Sequence, residues 1–578
     1  MSVPTAEPTA PTFEEHQGPS LAGAPPRFGG WRLYMLMAAG ALGIAALSLA
    51  LPSTPSYDPW AWLVWGREIL HGSLHTPGGP TWKPLPVVFT TVFALFGSAQ
   101  PNLWLMIARA GAVMATLMTF KLAFRLTSWL PVGLGNRVTE GRAALGETLV
   151  EWAPALLAGL IAAVGLALSG NLLSDSTLGY SEGLAVAALL VGLERHLDGH
   201  PRQAFALGFV AALDRPEIWL FWGPYGLWLM WKDPGARKLV IGLAVLTLFL
   251  WFVPQKWGGG SFTSGINRAQ HPRKNSAAFA ACPFCTELAH HAWTLVLLRI
   301  KLAALLVIGA AGVVLGRAMR ARGGVSLLGR RERALALLSL CGLFGYAWWI
   351  LVAIETQAGF SGNDRYLVIG SGFIEICGAG GFGWAAIELA RWVQRRLGAR
   401  RADGGTGRGA RLTLLAACTA LFAAVFVFLP NWVGGNTIDI PATHRSLVYQ
   451  ADLRRDLVYL INRAGGVKKL EACGAGHVMV EGFQVPMVAW YFDARTIDIE
   501  DQPNTDPDGE ANPPTPWPNV IFQDRDTGSA ALLPAPQTII DWEHEGATEF
   551  AHFVRTKTMF FFEDCAPQPK DSPARYQS

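Results

Sequence analysis

Ionisable side chains stand at a few separate places in this apolar chain, and some combine residue types that can move protons or bind phosphate. A carboxylate can accept a proton from an attacking hydroxyl, and Arg or Lys can bind phosphate oxygens through charge-assisted hydrogen bonds. The segment 52–103 holds one such combination, with Asp58, Arg67, Glu68 and Lys83. Because these residues share one segment, phosphate binding is favoured there over unrelated structural roles.

Four more ionisable residues stand near the ends of apolar runs farther along the chain. They are Asp175, Glu182, Arg215 and Arg365. A membrane transporter places such groups near the middle of the bilayer, at broken helices. Their position at the ends of apolar runs favours a site near a membrane surface instead.

Each of these residues also has a structural interpretation, which stays open. Asp58 precedes Pro59, and this pair is an ordinary helix start with Asp as the N-cap. Arg67 and Lys83 could extend to lipid headgroups as interfacial anchors. The other four residues have ordinary roles at a helix end, as caps or in pairs with a neighbouring acid: Asp175, Glu182, Arg215 with Glu217, and Arg365 with Asp364.

The composition indicates an integral membrane protein that crosses the bilayer several times. Of 578 residues, 51% are hydrophobic and 16% are charged, whereas soluble domains carry about 25% charged residues. The 23 Trp residues suit a protein with two membrane interfaces to anchor. We therefore expect Trp60, Trp62 and Trp65 to be interface anchors, with sugar stacking as the alternative.

Apolar runs of spanning length predict about eleven transmembrane helices. The stretch 203–231 counts as two short helices, because Asp214-Arg215-Pro216-Glu217 interrupts it and such a cluster is costly at the bilayer centre. The other runs are 31–51, 104–127, 152–170, 177–195, 238–254, 293–316, 334–353, 366–390 and 411–430.

Arginine-rich loops set the expected orientation in the cell (plasma or inner) membrane. The loops 317–333 and 391–411 are strongly basic and should be cytoplasmic. This orientation makes residues 1–30 a disordered cytoplasmic tail and 31–430 the membrane domain. The segment 52–103 then lies outside, with a surface helix at Leu85–Phe96, and so do residues 431–578.

Residues 431–578 are more polar and predict a small extracytoplasmic α/β domain. A helix is expected at 445–464, where apolar residues share one face before Gly465-Gly466. Short strands are expected at 477–481, 519–523 and 557–563.

The cysteines agree with this layout. Cys341, Cys377 and Cys418 lie in apolar runs and should be core residues. The four others fall in outside segments, where an oxidising compartment permits disulfides, so we predict the pairs Cys282–Cys285 and Cys473–Cys565. The alternative for the first pair is a metal site with His290 and His291, although no second CxxC motif completes a zinc site.

Residues 52–127 carry the most specific pattern in the chain. An Asp opens an amphipathic helix that ends in Arg-Glu-Ile-Leu-His-Gly; then come Lys-Pro-Leu-Pro, an apolar helix ending in Phe-Gly, and a spanning helix with an early Arg. Farther on stand Asp214-Arg-Pro-Glu217 and Arg365-Tyr-Leu367. Together these resemble the GT-C superfamily of membrane glycosyltransferases, in the branch of protein O-mannosyltransferases and lipid A aminoarabinose transferase.

The resemblance implies a GT-C-like fold and an inverting transfer reaction. A sugar would pass from a polyprenyl-phosphate donor to a lipid, glycan or protein acceptor on the outer face of the membrane. Asp58 would be the general base, and Glu68, Asp175 and Glu182 are further catalytic candidates. The candidates for binding the donor phosphate are the cations Arg67, Lys83, Arg215 and Arg365.

The resemblance is incomplete at one position. Many relatives have Asp followed by Glu where this chain has Asp58 followed by Pro59. The missing carboxylate weakens the case for a metal held by paired acids. We therefore expect no cofactor and no metal ligand set, with a divalent metal as the alternative.

Two other classes of function remain as alternatives. One is a transporter or flippase of a lipid-linked or small polar substrate, and the other is a non-catalytic assembly protein of the cell envelope. Nucleic acid is not expected as a partner, because the basic loops are explained by topology. A nucleotide-sugar donor is not expected either, since no Gly-rich nucleotide loop is present in the required context.

Overall fold

The described part of the chain is dominated by helices. A computed structural model describes residues 30–130, 145–272, 276–322, 329–398, 406–426, 438–474, 477–480, 483–501, 518–525 and 552–566. The tail up to residue 29, the middle of each basic loop and most of the Pro-rich stretch near 503–518 fall outside these ranges.

The membrane part follows the predicted apolar runs closely. Its helices are α1 (Trp31–Ser48), α2 (Tyr57–Leu70), α3 (Pro84–Phe93), α4 (Gln100–Ser128), α5 (Leu145–Leu168), α6 (Gly170–Thr177), α7 (Glu182–Leu197), α8 (Pro201–Ala212), α9 (Trp219–Lys232), α10 (Arg237–Gly259), α11 (Ser264–Ala269), α12 (Pro283–Thr286), α13 (Trp293–Leu295), α14 (Leu298–Arg322), α15 (Arg330–Gln357), α16 (Val368–Gly398) and α17 (Thr406–Phe426).

Within the described ranges, seven helices are long and apolar enough to cross a membrane. The helices α7, α8, α9 and α17 also coincide with predicted runs but are shorter or less apolar. The predicted break in 203–231 is confirmed, because α8 ends at Ala212 and α9 begins at Trp219. The protein is thus a polytopic helical membrane protein, while its orientation and its total of about eleven spans stay predictions.

The C-terminal region forms the predicted α/β structure. Its helices are α18 (Ile440–Arg463), α19 (Val467–Glu471) and α20 (Val485–Tyr491), and its strands are β1 (Val478–Val480), β2 (Ile499–Asp501), β3 (Val520–Asp524), β4 (His552–Arg555) and β5 (Met559–Glu563). The described strands form one sheet in the order β2-β1-β3-β5-β4.

The central strands of this sheet have a mixed arrangement. β1 is parallel to both β2 and β3, with Val478 opposite Ile499 and Val520. β5 is antiparallel to β3 and to β4. β3 is buried along its whole length, which explains its continuous apolar start, Val-Ile-Phe. The sequence analysis missed β2 and β4, which are short strands at the two edges of the sheet.

The segment 52–103 and the C-terminal region share one apolar core. Trp60, Trp62 and Trp65 are at most 2% exposed and belong to the same buried cluster as Leu457 and Val480. The prediction that these tryptophans anchor the protein at a membrane interface is therefore wrong. Their rings are buried between α2 and its protein neighbours. For such large apolar side chains, this burial stabilises the protein more than a position at the membrane interface would.

Both predicted disulfides are present. Cys282 is bonded to Cys285, and Cys473 is bonded to Cys565. The second bond joins the segment between α19 and β1 to the residues after β5, so it ties the segment before the first strand to the end of the last described strand. Cys341, Cys377 and Cys418 are buried free thiols, as expected.

A close contact between α2 and α3 fixes the shape of the outer segment. The hydroxyl of Thr90 donates a hydrogen bond to the Trp62 carbonyl at 2.7 Å. A Cβ atom added at Gly66 would lie 2.5 Å from the Thr90 carbonyl carbon. Backbone atoms cannot move aside as a flexible side chain can, so this approach requires glycine.

We expect Gly66→Ala to lower the free energy of unfolding by about 1–3 kcal/mol, because it overpacks this contact. Thermal unfolding in detergent measures the change. Gly43→Ala is the matched control, since nothing lies within 4 Å of its added Cβ in the described structure. Equal melting temperatures for the two variants would contradict the proposed packing constraint.

Candidate functional site

Several helix starts meet at the side of the membrane domain where the C-terminal region sits. Asp58 lies in the first turn of α2, Lys83 immediately precedes α3, and Glu182 is the first residue of α7. Arg215 precedes a short 3₁₀ turn that leads into α9, and Arg365 lies in a similar turn before α16. The chain thus brings together five residues that are far apart in sequence.

Glu182 is the centre of this group. Its Oε1 atom lies 3.0 Å from Lys83 Nζ, 3.2 Å from Arg215 Nη2 and 3.7 Å from Arg365 Nε. Glu182 is 2% exposed, so the carboxylate is almost completely removed from water. Such a charge is tolerated only where opposite charges compensate it, and here three cations share one oxygen. We call Glu182 with these cations and Asp58 the ionic cluster.

Asp58 completes the ionic cluster through Arg365. Asp58 Oδ2 accepts a hydrogen bond from Arg365 Nη2 at 2.7 Å, and 13% of each side chain is exposed. Two tyrosine rings cover the guanidinium groups: Arg365 lies 4.0 Å from the Tyr180 ring centroid, and Arg215 lies 3.4 Å from that of Tyr366. These cation–π contacts hold the planar groups in position.

Main-chain hydrogen bonds fix the loops that carry these side chains. Ser56 N–H donates to the Leu178 carbonyl at 2.9 Å, which joins the start of α2 to the α6–α7 loop. Leu85 N–H donates to the Leu213 carbonyl at 3.0 Å, which joins the start of α3 to the segment of Arg215. The positions of Asp58, Lys83 and Arg215 are therefore set by backbone contacts.

The ionic cluster retains unused hydrogen-bonding capacity. The Nε atoms of Arg215 and Arg365 are buried and have no hydrogen-bond acceptor among the described residues. One carboxylate oxygen each of Asp175 and Glu182 likewise has no hydrogen-bond donor in the described ranges. Burial, with the nearby Asp364 as the next cause, raises the pKa of Asp175 well above its ordinary value. The site can therefore offer both donors to an anion and acceptors to hydroxyl groups.

Arg67 and Glu68 lie outside the ionic cluster, at the contact with the C-terminal region. Arg67 donates to the Trp490 and Ala494 carbonyls at 3.1 and 2.6 Å and pairs with Asp493 at 3.0 Å. Glu68 accepts a hydrogen bond from His75 N–H at 2.8 Å. Burial raises the pKa of Glu68 to about 7, although the His75 hydrogen bond opposes this shift.

The structure thus separates the predicted site residues into two groups. Asp58, Lys83, Glu182, Arg215 and Arg365 come together, with Asp175 close enough for electrostatic interaction. Arg67 instead binds the C-terminal region, and Glu68 binds the His75 N–H in its own segment. The N-cap interpretation of Asp58 is wrong, because Ser56 is the N-cap residue of α2.

Sequence reasoning missed three residues of the site, namely Asp214, Tyr180 and Tyr366. Asp214 and Tyr366 each stand beside a predicted arginine, Arg215 or Arg365, and that adjacency is a usable signal. Nothing in the sequence around Tyr180 marks it. The described residues place a possible set of metal ligands elsewhere, at Cys473, Glu563 and Cys565, where the two cysteines form a disulfide.

Comparison with known proteins gives limited information. No protein-family model matches the chain, and no curated protein sequence matches it significantly. Among solved structures, it is similar to a crystal structure of ArnT from Cupriavidus metallidurans bound to undecaprenyl phosphate, with 12% identity and a TM-score of 0.46 over 94% of this chain and 100% of that chain. The apo ArnT structure gives 12% identity and a TM-score of 0.43, over 92% and 97% respectively.

We expect Glu182→Gln to lower the free energy of unfolding by about 3–5 kcal/mol, because it leaves buried cations without their shared anion. Glu388→Gln is the control: that carboxylate also contacts two arginines, but its side chain is 38% exposed, so its loss should cost about 1 kcal/mol or less. Denaturation in detergent measures the free energy of unfolding of both variants. Similar losses would show that the buried Glu182 contacts stabilise the protein no more than the exposed Glu388 contacts do.

We also expect Glu68 to make stability depend on pH. Because its pKa is raised from 4.5 to about 7, its contribution is complete below pH 4.5 and is lost as the pH rises through 7. The melting temperature of the wild type should therefore fall between pH 5 and pH 8 by about 2–4 °C more than that of Glu68→Gln. Glu471→Gln, at an exposed position, should keep the wild-type pH profile; a parallel profile for Glu68→Gln would contradict this assignment.

Proposed function

We propose that this protein is an inverting glycosyltransferase that moves a sugar from a polyprenyl-phosphate donor to an acceptor hydroxyl outside the cytoplasm. The observation that carries the proposal is the ionic cluster, in which Lys83, Arg215 and Arg365 surround Glu182 beside the partly exposed Asp58. The family resemblance of residues 52–127 supports the same reaction class.

The cations provide a place for the donor phosphate. As the sugar leaves, negative charge grows on the phosphate, and fixed cations stabilise that state more than the starting state. The two unused Nε–H donors, on Arg215 and Arg365, are available to phosphate oxygens in a buried setting. The converging helix starts add positive partial charge at the same place.

Asp58 is the proposed general base. It would accept the proton of the acceptor hydroxyl as the oxygen attacks the sugar. Arg365 holds the Asp58 carboxylate in position at 2.7 Å, and the same arginine is proposed to contact the phosphate. The base and the leaving phosphate would then both contact the Arg365 side chain.

Glu182 and Asp175 take supporting roles in this proposal. Glu182 orients the three cations and remains an anion, since all of them contact one of its oxygens. Asp175, whose raised pKa favours the neutral acid, would donate a hydrogen bond to the sugar or the phosphate. Arg67 would act through the C-terminal region, which it contacts directly, and Glu68 would hold the loop at His75.

A transporter or flippase is the second candidate, and one observation favours it. Glu375 lies fully buried in α16, and neither carboxylate oxygen has a hydrogen-bond donor in the described structure. Lys301 of α14 is also fully buried. Ionisable groups inside membrane segments often mark a transport path.

We expect Asp58→Asn to reduce sugar transfer by about 10²–10⁴-fold, because the amide cannot accept the proton. The measurement is a transfer assay in purified membranes with labelled polyprenyl-phosphate sugars. Asp233→Asn is the matched control, since it also removes an arginine–aspartate pair, but on an exposed surface. Binding of undecaprenyl phosphate should persist in both variants.

The outcomes separate the candidates. Transfer that survives in Asp58→Asn would remove Asp58 from the base role and point to Asp175 or Glu182. If the wild type transfers no sugar from a broad set of donors, and substrate flux across the membrane depends on Glu375, the protein is a transporter and not a transferase. If the wild type shows neither sugar transfer nor substrate flux, the remaining candidate is a non-catalytic assembly protein.

A further inference from the structure

A narrow cleft lies between the start of α2 and the C-terminal region. Tyr57 and Trp60 line one side, and Phe483, Gln484 and Asp524 line the other. Asp58 lies between Tyr57 and Trp60 in the first turn of α2. The internal volume is about 20 Å³, which is enough for about one water-sized group. We call this space the Trp60 cleft.

Two buried polar atoms of the Trp60 cleft have no partner. The indole Nε1–H of Trp60 lacks an acceptor, and Gln484 Oε1 lacks a donor, within the described part of the chain. Trp60 is 2% and Gln484 7% exposed. Buried polar groups are nearly always hydrogen-bonded to protein, water or ligand, so these two atoms are available to a ligand group in the cleft.

The orientation of Gln484 is fixed by its neighbour. Gln484 Nε2 donates to Asp524 Oδ2 at 3.2 Å, and the other oxygen of Asp524 accepts from the Tyr449 hydroxyl. This bond uses one of the two N–H donors and keeps Nε2 on the Asp524 side, so Oε1 is the side-chain atom without a partner in the described structure. A ligand that accepts from Trp60 and donates to Gln484 would complete both atoms, and a hydroxyl can do both.

The aromatic part of the lining has a different character. Tyr57 and Phe483 stack with ring centroids 5.6 Å apart, and both are partly exposed. Their rings present flat apolar surface next to the polar interior. A pyranose or furanose ring combines an apolar face with outward hydroxyls, so it matches both parts; an acyl chain supplies no hydroxyl for the interior.

The cleft is also connected to the ionic cluster. Ser56, which lines it, accepts a hydrogen bond from the Tyr180 hydroxyl at 3.2 Å. The Tyr180 ring in turn lies under the Arg365 guanidinium. A ligand in the cleft would therefore be linked through Ser56 and Tyr180 to Arg365, which binds Asp58.

We propose that the Trp60 cleft is an acceptor subsite that binds a neutral carbohydrate, with one sugar hydroxyl between Trp60 and Gln484 and the ring against Tyr57 and Phe483. The proposal rests on the transferase function proposed above, and it deepens that function by naming the acceptor class. It also gives the C-terminal region a role: Phe483, Gln484 and Asp524 select the acceptor.

The test uses the full-length protein in nanodiscs with a panel of neutral tetrasaccharides of mannose, arabinose and glucose. Saturation-transfer NMR reports binding without any donor or reaction. We expect at least one member to bind to the wild type and to Asp58→Asn alike. Binding should fall at least tenfold in Gln484→Leu and in Phe483→Ala. Gln203→Leu, the same substitution at an exposed position of α8, should bind as the wild type does.

The transfer assay then separates this proposal from the catalytic one. An acceptor KM that rises at least tenfold in Gln484→Leu, with kcat and undecaprenyl-phosphate binding unchanged, would support the subsite. An unchanged KM, no binding of any saccharide by the wild type, or binding of a serine- or threonine-containing peptide instead would overturn it. If the wild type binds a saccharide but transfers no sugar, the cleft remains a carbohydrate-binding site and the transferase proposal is rejected.

Discussion

One carboxylate oxygen, Glu182 Oε1, holds the centre of this molecule together. Lys83, Arg215 and Arg365 approach it from three separate parts of the chain, and each arrives at the beginning of a helix. Without this anion the three cations would repel one another in a setting where water cannot screen them. The arrangement of α3, α7, α9 and α16 around the site therefore depends on compensation of charge as much as on apolar packing.

The ionic cluster holds its cations without saturating them. Each guanidinium uses some donors for carboxylates and stacks on a tyrosine, yet its Nε–H has no hydrogen-bond acceptor among the described residues. An incoming anion would find donors already oriented, so little reorganisation would accompany its binding. Preorganised donors of this kind are the usual source of electrostatic stabilisation in enzymes.

The sequence allowed the elements to be predicted better than their contacts. Apolar runs marked the long helices, and short β-branched or aromatic runs marked β1, β3 and β5, because both signals are local. Asp58 and Arg365 are 307 residues apart, and no local pattern joins them; only the family resemblance placed both in one site. Arg67 binds main-chain carbonyls, which every residue possesses, so its partners leave no mark in the sequence. Trp60 could not be assigned to a core until the docking of the C-terminal region was known.

The distance in sequence between α2 and its cover has a consequence for how the protein is made. Arg67 donates to a carbonyl 423 residues later, and Trp60 packs against Trp490 and Tyr491. During synthesis, the Trp60 ring is therefore made long before the surface that covers it exists. The ring stays without this cover until residues 490 and 491 have been added. A chain that stops before them would keep the Trp60 ring uncovered, which gives cellular quality control a direct way to recognise it.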